Sequence, residues 1–490
     1  MSGLIAEAFD AVVSNSPNRI ALYGLSEGLT RTFAEVRDDA AAIDRALRAI
    51  GLPPCPTIVT NVGNRTGFIP LFLAGLGAGA SVVPLDGGAA PREVFDLADT
   101  YCADLIVVSG DTATFREMAT VPLPCGLAAI LRQPARGPWW RLNNETAGLV
   151  LKVTSGSTGS SQLAVSSEQN VLNDGRHDAE AMELSATDIG CATVPLAHSY
   201  GMGALLMPLL IKGMPLVLRD RFVHAQWAGD VERTGITVFP GVPFIFDYLR
   251  RAGDSAAPIA GTRLVVTAGA PIDFETVQYF KDRFGVKIHS LYGTTETGSI
   301  SFDSSPALHD RVTVGWPLAE TTVSLIETPD APSGGRILVQ GSAVSRGYAL
   351  ASEADDAAPA FTADGFLTAD LARFGDDGQL VLLGRVVGFV NVAGRKVSPG
   401  EVERAIAELP GVSDVFVMGI ADGARGQALV ACVSRRTPEL TAAAIRAHCA
   451  ATLSPYKVPR RVVFADELPR TARGKIARHD VEAHLKNAPG

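Results

Sequence analysis

Short apolar runs rich in Val, Ile and Leu alternate with amphipathic segments through much of this chain, and that alternation limits what it can fold into. The runs are Thr57–Thr60, Leu105–Ser109, Leu216–Leu218, Thr237–Phe239, Leu264–Thr267 and Lys287–Leu291. Phe33–Ala49 and Phe274–Phe284 carry apolar residues at helical spacing. Strands separated by helices imply largely parallel sheets covered by helices, with ligands at the strand ends. After about Arg311 the pattern changes. Thr321–Ile326 and Gly335–Val339 read as strands between Pro/Gly turns, a smaller β-rich subdomain over about 311–386, and the Ala/Asp-rich Ala349–Ala360 reads as a loop. From Gly388 helix and strand alternate again through Glu401–Glu408, Val415–Gly419, Val430–Ser434 and Thr441–Leu453. The expectation is an α/β fold: a large N-terminal part of helix-covered sheets (1–386) with a β-rich subdomain, and a small α+β C-terminal domain (387–490). A chain of 490 residues exceeds what one hydrophobic core serves, which also asks for more than one unit.

One apolar run ends abruptly. Leu149–Ala164 reads LVLKVTSGSTGSSQLA, a strand-like stretch breaking into a loop of Gly, Ser and Thr. Small residues let backbone N–H groups approach an anion, and the hydroxyls of Thr154, Ser155, Ser157 and Thr158 add donors. Composition alone would describe a flexible linker equally well. The loop is not a Walker P-loop, because Gly159 is followed by Ser160 and Ser161 rather than by Lys-Ser/Thr.

Composition is that of a globular protein, with 47% hydrophobic and 19% charged residues leaving little room for disorder. Glu7 and Asp10 interrupt the early apolar segment, so no secretion signal is read, and Ile69–Ala80 and Leu205–Ile211 are too short to span a bilayer. A cytoplasmic enzyme without a membrane span is expected. Its six cysteines, 55, 102, 125, 191, 432 and 449, form no CxxC pair and are read as reduced, structural thiols. The net charge of −9 divides unevenly, with about +5 from Gly388 onward and about −14 before it. The basic residues form no dense stripe, which speaks against nucleic acid. A basic small domain over an acidic large one suits a polyphosphate substrate or an acidic carrier domain.

Six signals stand in one order: TSGSTG at Thr154–Gly159, TAGAP at Thr267–Pro271, YGTTETG at Tyr292–Gly298, TAD at Thr368–Asp370, GR at Gly384–Arg385 and RGKI at Arg473–Ile476. Together they resemble the adenylate-forming superfamily of acyl- and aryl-CoA synthetases, luciferases and peptide-synthetase adenylation domains. Leu71–Asp86 resembles the same family's early apolar motif, so nearly the whole chain is covered. The resemblance implies ATP and Mg²⁺, a carboxylic acid attacking the α-phosphate to form acyl-adenylate and pyrophosphate, and a thiol acceptor, coenzyme A or carrier-protein phosphopantetheine. It also implies that the small C-terminal domain is mobile.

Each motif then receives a task. Thr154, Ser155, Gly156, Ser157, Thr158 and Gly159 would hold the leaving phosphates. Gly269, Ala270 and Pro271 would run along the adenine, with Tyr292 offering its ring and Gly293 and Thr294 completing that wall. Thr295 would donate to the α-phosphate, Glu296 would ligate Mg²⁺ and act in catalysis, Asp370 would accept the ribose hydroxyls, and Arg385 would stand on the ribose side. Lys475 would bring its ammonium to the charge forming between carboxylate and α-phosphate. For the second step the hinge around Val386–Val387–Gly388 would turn, withdrawing Lys475 and presenting the face around Gly394 and Lys396 to the thiol.

PLAHSYGMG at Pro195–Gly203 would border the acyl group through His198, Ser199, Tyr200 and Gly201. Val238–Leu249 would supply a helix beside it, with Val242 and Phe244 in the pocket. Amino-acid-activating relatives place an Asp where this chain has Ser199, which favours a non-amino aliphatic or aryl acid. Three departures stand out: Gln162 replaces a lysine expected on the pyrophosphate, TAD replaces TGD, and Val386–Val387–Gly388 replaces the usual charged hinge. Gln162 keeps open a catalytically impaired nucleotide- or acyl-binding relative. An enzyme adenylating another oxyanion, or passing the adenylate to an amine, is a further alternative. The functional unit is read as a monomer or homodimer.

Overall fold

The computed structural model describes residues 3–110, 115, 118–133, 148–154, 162–220, 222–308, 312–328, 334–350, 360–385, 390–423, 426–468, 481 and 485. The chain separates into two compact units, one built on Met1–Gly87, Leu97–Thr154 and Leu163–Val386, the other on Gly88–Asp96 and Val387–Gly490. The architecture is mixed α/β, with a large N-terminal and a small C-terminal part.

Two large sheets form the first unit. In one, Ile20–Gly24, Leu216–Leu218, Gly190–Ala192, Val238–Gly241, Leu264–Thr267 and Ile288–Thr294 run parallel side by side. Leu29–Thr32 closes one edge antiparallel, and Gly298–Phe302 and Trp316–Pro317 extend the other. In the second sheet Leu149–Thr154, Ser81–Pro84, Thr57–Asn61 and Leu105–Ser109 are the parallel centre. Parallelism is thus confined to the middles. Of the antiparallel edges, Leu29–Thr32 and Gly298–Phe302 return through short hairpin connections, whereas Gly347–Tyr348 pairs with Gln162–Ser167 from far along the chain. A third sheet, antiparallel throughout, joins Thr321–Ile326, Gly335–Gly341, Gly365–Phe374, Ala360–Thr362 and Leu380–Arg385.

Helices form where the apolar spacing asks for them. Phe33–Ile50 buries Phe33, Val36, Ala40, Ile43 and Leu47, alternating steps of three and four, and each large side chain removed from water contributes roughly 1.5–3 kcal/mol. A capping box between Thr32 and Glu35 starts this helix, and Gly51 at φ 75° ends it. Glu168–Ala181 behaves differently. It opens on a Ser167/Asn170 capping box, but its inward face includes Asp174, His177 and Asp178 besides Val171 and Leu172. Gly175 lets it lie against Met207, since a Cβ there would collide with that side chain. The core on the other side of the first sheet is aromatic, Trp227, Phe239, Phe246 and Phe280 meeting edge to face.

Val238–Leu249 supplies a helix, as expected, but only from Pro243, running to Ala252; its first residues, where the apolar run Thr237–Phe239 lies, form the sheet strand Val238–Gly241. Pairing with Leu264–Thr267 captures the first residues, and Pro243 starts the helix where its missing N–H costs nothing.

In the second unit Val412–Ala421, Gln427–Arg435 and Arg461–Ala465 form a sheet packed with Pro399–Ala407 and Ala442–Thr452 around Val402, Ile406, Leu429, Ile445 and Cys449. Within it Lys457 forms ion pairs with Glu401, at 2.7 Å, and with Glu93, at 2.5 Å. None of the six cysteines is in a disulfide, and among the described residues no helix is long and apolar enough to cross a membrane.

Candidate active site

The segment Tyr292–Gly298 is a β-hairpin turn. Ile288–Thr294 pairs antiparallel with Gly298–Phe302, and Thr294 and Thr297 hold the turn through their hydroxyls, 3.1 Å apart. Gly293 has the carbonyl of Gly298 where a side chain would stand, and Gly298 adopts φ +70° with the Asp174 carboxylate against its Cα. The glycines are therefore steric requirements of the turn. Thr295 projects half-buried at its tip and makes no hydrogen bond among the described residues.

Two long-range hydrogen bonds aim this hairpin. The Tyr292 hydroxyl donates to Asp370 Oδ2 at 2.9 Å, both residues being buried, which ties the hairpin to the strand Gly365–Phe374. Asp370 stands directly opposite Arg385 across an antiparallel pair, so TAD and GR are cross-strand neighbours. The second bond was not foreseen from sequence: the Tyr348 hydroxyl donates to Glu296 Oε1 at 2.8 Å. Burial and the Glu296 charge raise the Tyr348 pKa far above its usual value, so the phenol remains a donor at any working pH. Tyr348 lies on the short strand Gly347–Tyr348, in a stretch carrying no motif. The only sequence signal was an aromatic hydroxyl in a Gly-containing turn, too weak to single out.

Glu296 thus has one oxygen held and Oε2 without a hydrogen-bond partner among the described residues. A single hard carboxylate oxygen fits Mg²⁺, which takes one or two carboxylates together with phosphate oxygens. No cluster of three or more His, Cys, Asp or Glu side chains suited to a metal occurs among the described residues. A cation already open to the sequence reading as a stand-in for the lysine missing at position 162 is Lys152, on the strand ending at Thr154. It is 3% exposed and has no ion pair within 4 Å among the described residues. Burial lowers its pKa while the charges of Asp174 and Glu296 oppose that shift.

The residues expected to border the acyl group begin a helical stretch. Ser199–Gly201 forms its first turn, Met202–Leu206 is π-helical, and Met207–Lys212 continues it. Gly201 is required because a Cβ would meet the Pro195 carbonyl. Tyr200 donates to the carbonyl of Val266 at 3.1 Å, joining this segment to the strand that leads into Gly269, whose φ is +83°. Ala270 is half-buried, and Gly269 and Pro271 are exposed. His198 is half exposed, its Nε2 3.9 Å from Asp86 Oδ2. Val242 caps the helix Pro243–Ala252, and Phe244 lies half-buried outside the aromatic core that takes Ile245 and Phe246.

In the smaller unit, Val390–Val392 and Arg395–Val397 form a hairpin turned by Ala393 at φ 52° and Gly394 at φ 83°. The Gly394 N–H donates to Asn391 Oδ1 at 2.9 Å. Lys396 is on its second strand. Thr154 ends its strand, buried. Ser155–Gly159, Val386–Gly388 and Lys475 lie outside the described residues, as do the side chains of Arg385 and Lys396.

Comparison with known proteins accords with this arrangement. The profile of the AMP-binding enzyme family matches residues 9–349, and that of the AMP-binding enzyme C-terminal domain matches residues 401–475. The chain is 29% identical over 482 residues to sulfoacetate–CoA ligase of Cupriavidus necator, covering 94% of each protein. It is 28% identical over 475 residues to 2-succinylbenzoate–CoA ligase of Geobacillus kaustophilus, covering 95% of each. The solved o-succinylbenzoate CoA synthetase of Bacillus subtilis shares its fold, with a TM-score of 0.82 over 97% of this chain and 98% of that one at 23% identity. With both profiles in sequence along one chain, the protein belongs to the AMP-binding enzymes of the adenylate-forming superfamily.

Proposed function

We propose that this enzyme activates a non-amino carboxylic acid, aliphatic or aryl, as its acyl-adenylate with release of pyrophosphate, and transfers the acyl group to a thiol. It is an AMP-forming acid–thiol ligase. The observation carrying the reading is the hairpin Tyr292–Gly298, held from both sides by Asp370 and Tyr348. That bracing fixes one aromatic face, one ribose-binding carboxylate and one metal-binding carboxylate relative to each other, and positioning is what an in-line displacement on the α-phosphate needs.

In this reading Tyr292 and the turn Gly269–Pro271 flank adenine, Asp370 accepts from the ribose, and Thr295 donates to the α-phosphate. The loop Thr154–Gly159 takes the leaving phosphates, with Arg385 on the ribose side. Glu296 would hold Mg²⁺, which when bound neutralises phosphate charge. Lys475 brings the remaining positive charge to the carboxylate and α-phosphate. The acyl group lies against His198, Ser199, Tyr200 and Gly201 with Val242 and Phe244. Ser199 offers no anion to an α-ammonium, whose burial unpaired costs several kcal/mol. The part beginning at Val387 is the mobile one, and after its rotation Gly394 and Lys396 face the thiol of coenzyme A or of a carrier phosphopantetheine. A cytoplasmic monomer or homodimer goes with this reading. The impaired-relative alternative is not favoured, because CoA ligases match along almost the whole chain.

The test is ATP–pyrophosphate exchange across simple aliphatic, aryl and α-amino acids, followed by thioester formation with coenzyme A and with a phosphopantetheinylated carrier. Exchange with simple acids and only weak exchange with α-amino acids is expected. Robust exchange with an α-amino acid where simple acids fail would overturn the pocket assignment.

A further inference from the structure

Helix Glu168–Ala181 carries two inward carboxylates one turn apart, Asp174 at 3% and Asp178 at 0% exposure. They converge on Gly203, where a Cβ would stand 2.6 Å from Asp178 Oδ2 and 3.0 Å from Asp174 Oδ2. Asp174 has a donor, the backbone N–H of Ser299 at 2.8 Å. Asp178 has none: both of its oxygens are fully buried without a hydrogen-bond partner among the described residues, the nearby Ser299 hydroxyl not completing one.

Protonation does not remove the problem. The charged groups and titratable groups around Asp178 are Asp174 on its own helix and Tyr200 on the helix facing it. Beyond Asp174 are Lys152 and His177, and beyond Lys152 is Glu296. Burial and the Asp174 charge push the Asp178 carboxyl well above the usual range. A carboxyl that keeps its proton can donate it to the converging Asp174 carboxylate, but its other oxygen still has no donor among the described residues. A polar group so enclosed costs several kcal/mol in either state unless something arrives to pair with it.

What stands beside it is the acyl-side segment. Gly203 ends the same PLAHSYGMG stretch as His198–Gly201, and Tyr200 of that stretch is close enough for the Asp178 charge to raise its pKa. With glycine at 203, no side chain separates that segment's backbone from the two carboxylates. We propose that Asp178, supported by Asp174, is a specificity-determining residue that pairs with a hydrogen-bond donor carried by the acyl substrate away from its reacting carboxylate. A hydroxyl is the first choice, and a distal ammonium is the other source of the same chemistry. The proposal rests on the reading of the acyl site above. It deepens that reading by giving the substrate a polar far end in place of an all-apolar one.

The experiment is pyrophosphate exchange by the full-length enzyme with ATP and Mg²⁺. Its substrates are acids of matched carbon skeleton ending in hydroxyl, ammonium or methyl, over a range of chain lengths and including hydroxyl- and methyl-substituted aryl acids. The expected kcat/KM for the best donor-bearing acid exceeds that of its methyl counterpart by about tenfold or more. In Asp178→Leu the ratio falls to about one. In Asp178→Asn a hydroxyl preference survives and an ammonium preference is lost, which identifies the source. A wild type that prefers methyl-terminated acids, or a ratio that neither variant changes, overturns the proposal. The wild-type ratio and Asp178→Asn decide it even if Asp178→Leu fails to fold. No exchange with any acid, methyl-terminated ones included, would instead sink acid activation itself.

Discussion

Replacing Tyr348 by Phe should weaken the metal step and spare the thiol step. The substitution removes one hydroxyl, the donor 2.8 Å from Glu296 Oε1, and keeps the ring. The edge-on contacts of that ring with Phe361, at 5.0 Å between centroids, and with Phe366, at 6.5 Å, are preserved, so packing changes little. A hydrogen bond to a charged acceptor contributes about 1.5–3 kcal/mol, and partners that orient metal ligands are typically worth about 10–100-fold in metal affinity or activity. Tyr348→Phe should therefore raise the Mg²⁺ half-saturation for pyrophosphate exchange by about tenfold or more, at unchanged fold as judged by circular dichroism. Thioester formation from supplied acyl-adenylate should stay within about twofold, because the metal role proposed for Glu296 belongs to the pyrophosphate-releasing step, which is then complete. An unaltered Mg²⁺ dependence, or an equal loss in both half-reactions, would refute the idea that Tyr348 aims a metal ligand.

Three further outcomes are expected. Lys475→Ala should reduce adenylation by about a hundredfold or more while leaving thioester formation from acyl-adenylate largely intact, and equal loss in both steps would make the lysine structural. Asn in place of Ala393, which adopts φ 52° in the turn before Gly394, should stabilise the smaller unit by about 0.5–1 kcal/mol in denaturant titration, since Asn tolerates the left-handed region better; destabilisation would contradict this. Burial holds the His289 imidazole below its ordinary pKa of 6.5, its Nδ1 2.7 Å from the Asp303 carbonyl. The unfolded chain therefore takes up the proton first, and this contribution to stability is present above 6.5 and lost as pH falls toward the folded pKa. His289→Gln should flatten that part of the melting-temperature profile, and an unchanged slope would show that other groups set it.

Local order was legible in this chain wherever a few adjacent residues suffice to define it. Leu264–Thr267, Phe274–Phe284 and Thr321–Ile326 are read from apolar spacing with the bounds the structure has, because helix and strand periods are properties of neighbouring residues. The motif order likewise names the family before any coordinates, and in one of those motifs Gly293 and Gly298 meet a local steric demand of their turn. The run Thr237–Phe239 is likewise read as a strand, but its end at Gly241 and the helix start at Pro243 come from pairing with Gly190–Ala192 and Leu264–Thr267. The contacts that aim the candidate site were not legible at all. Tyr292 reaches Asp370 across 78 positions and Tyr348 reaches Glu296 across 52, distances along the chain over which no periodicity operates. Whether Asp178 is a solvated helix charge or an enclosed carboxylate depends on what is packed above it. That was decided by Gly175 and Gly203, which let two helices approach until water was excluded.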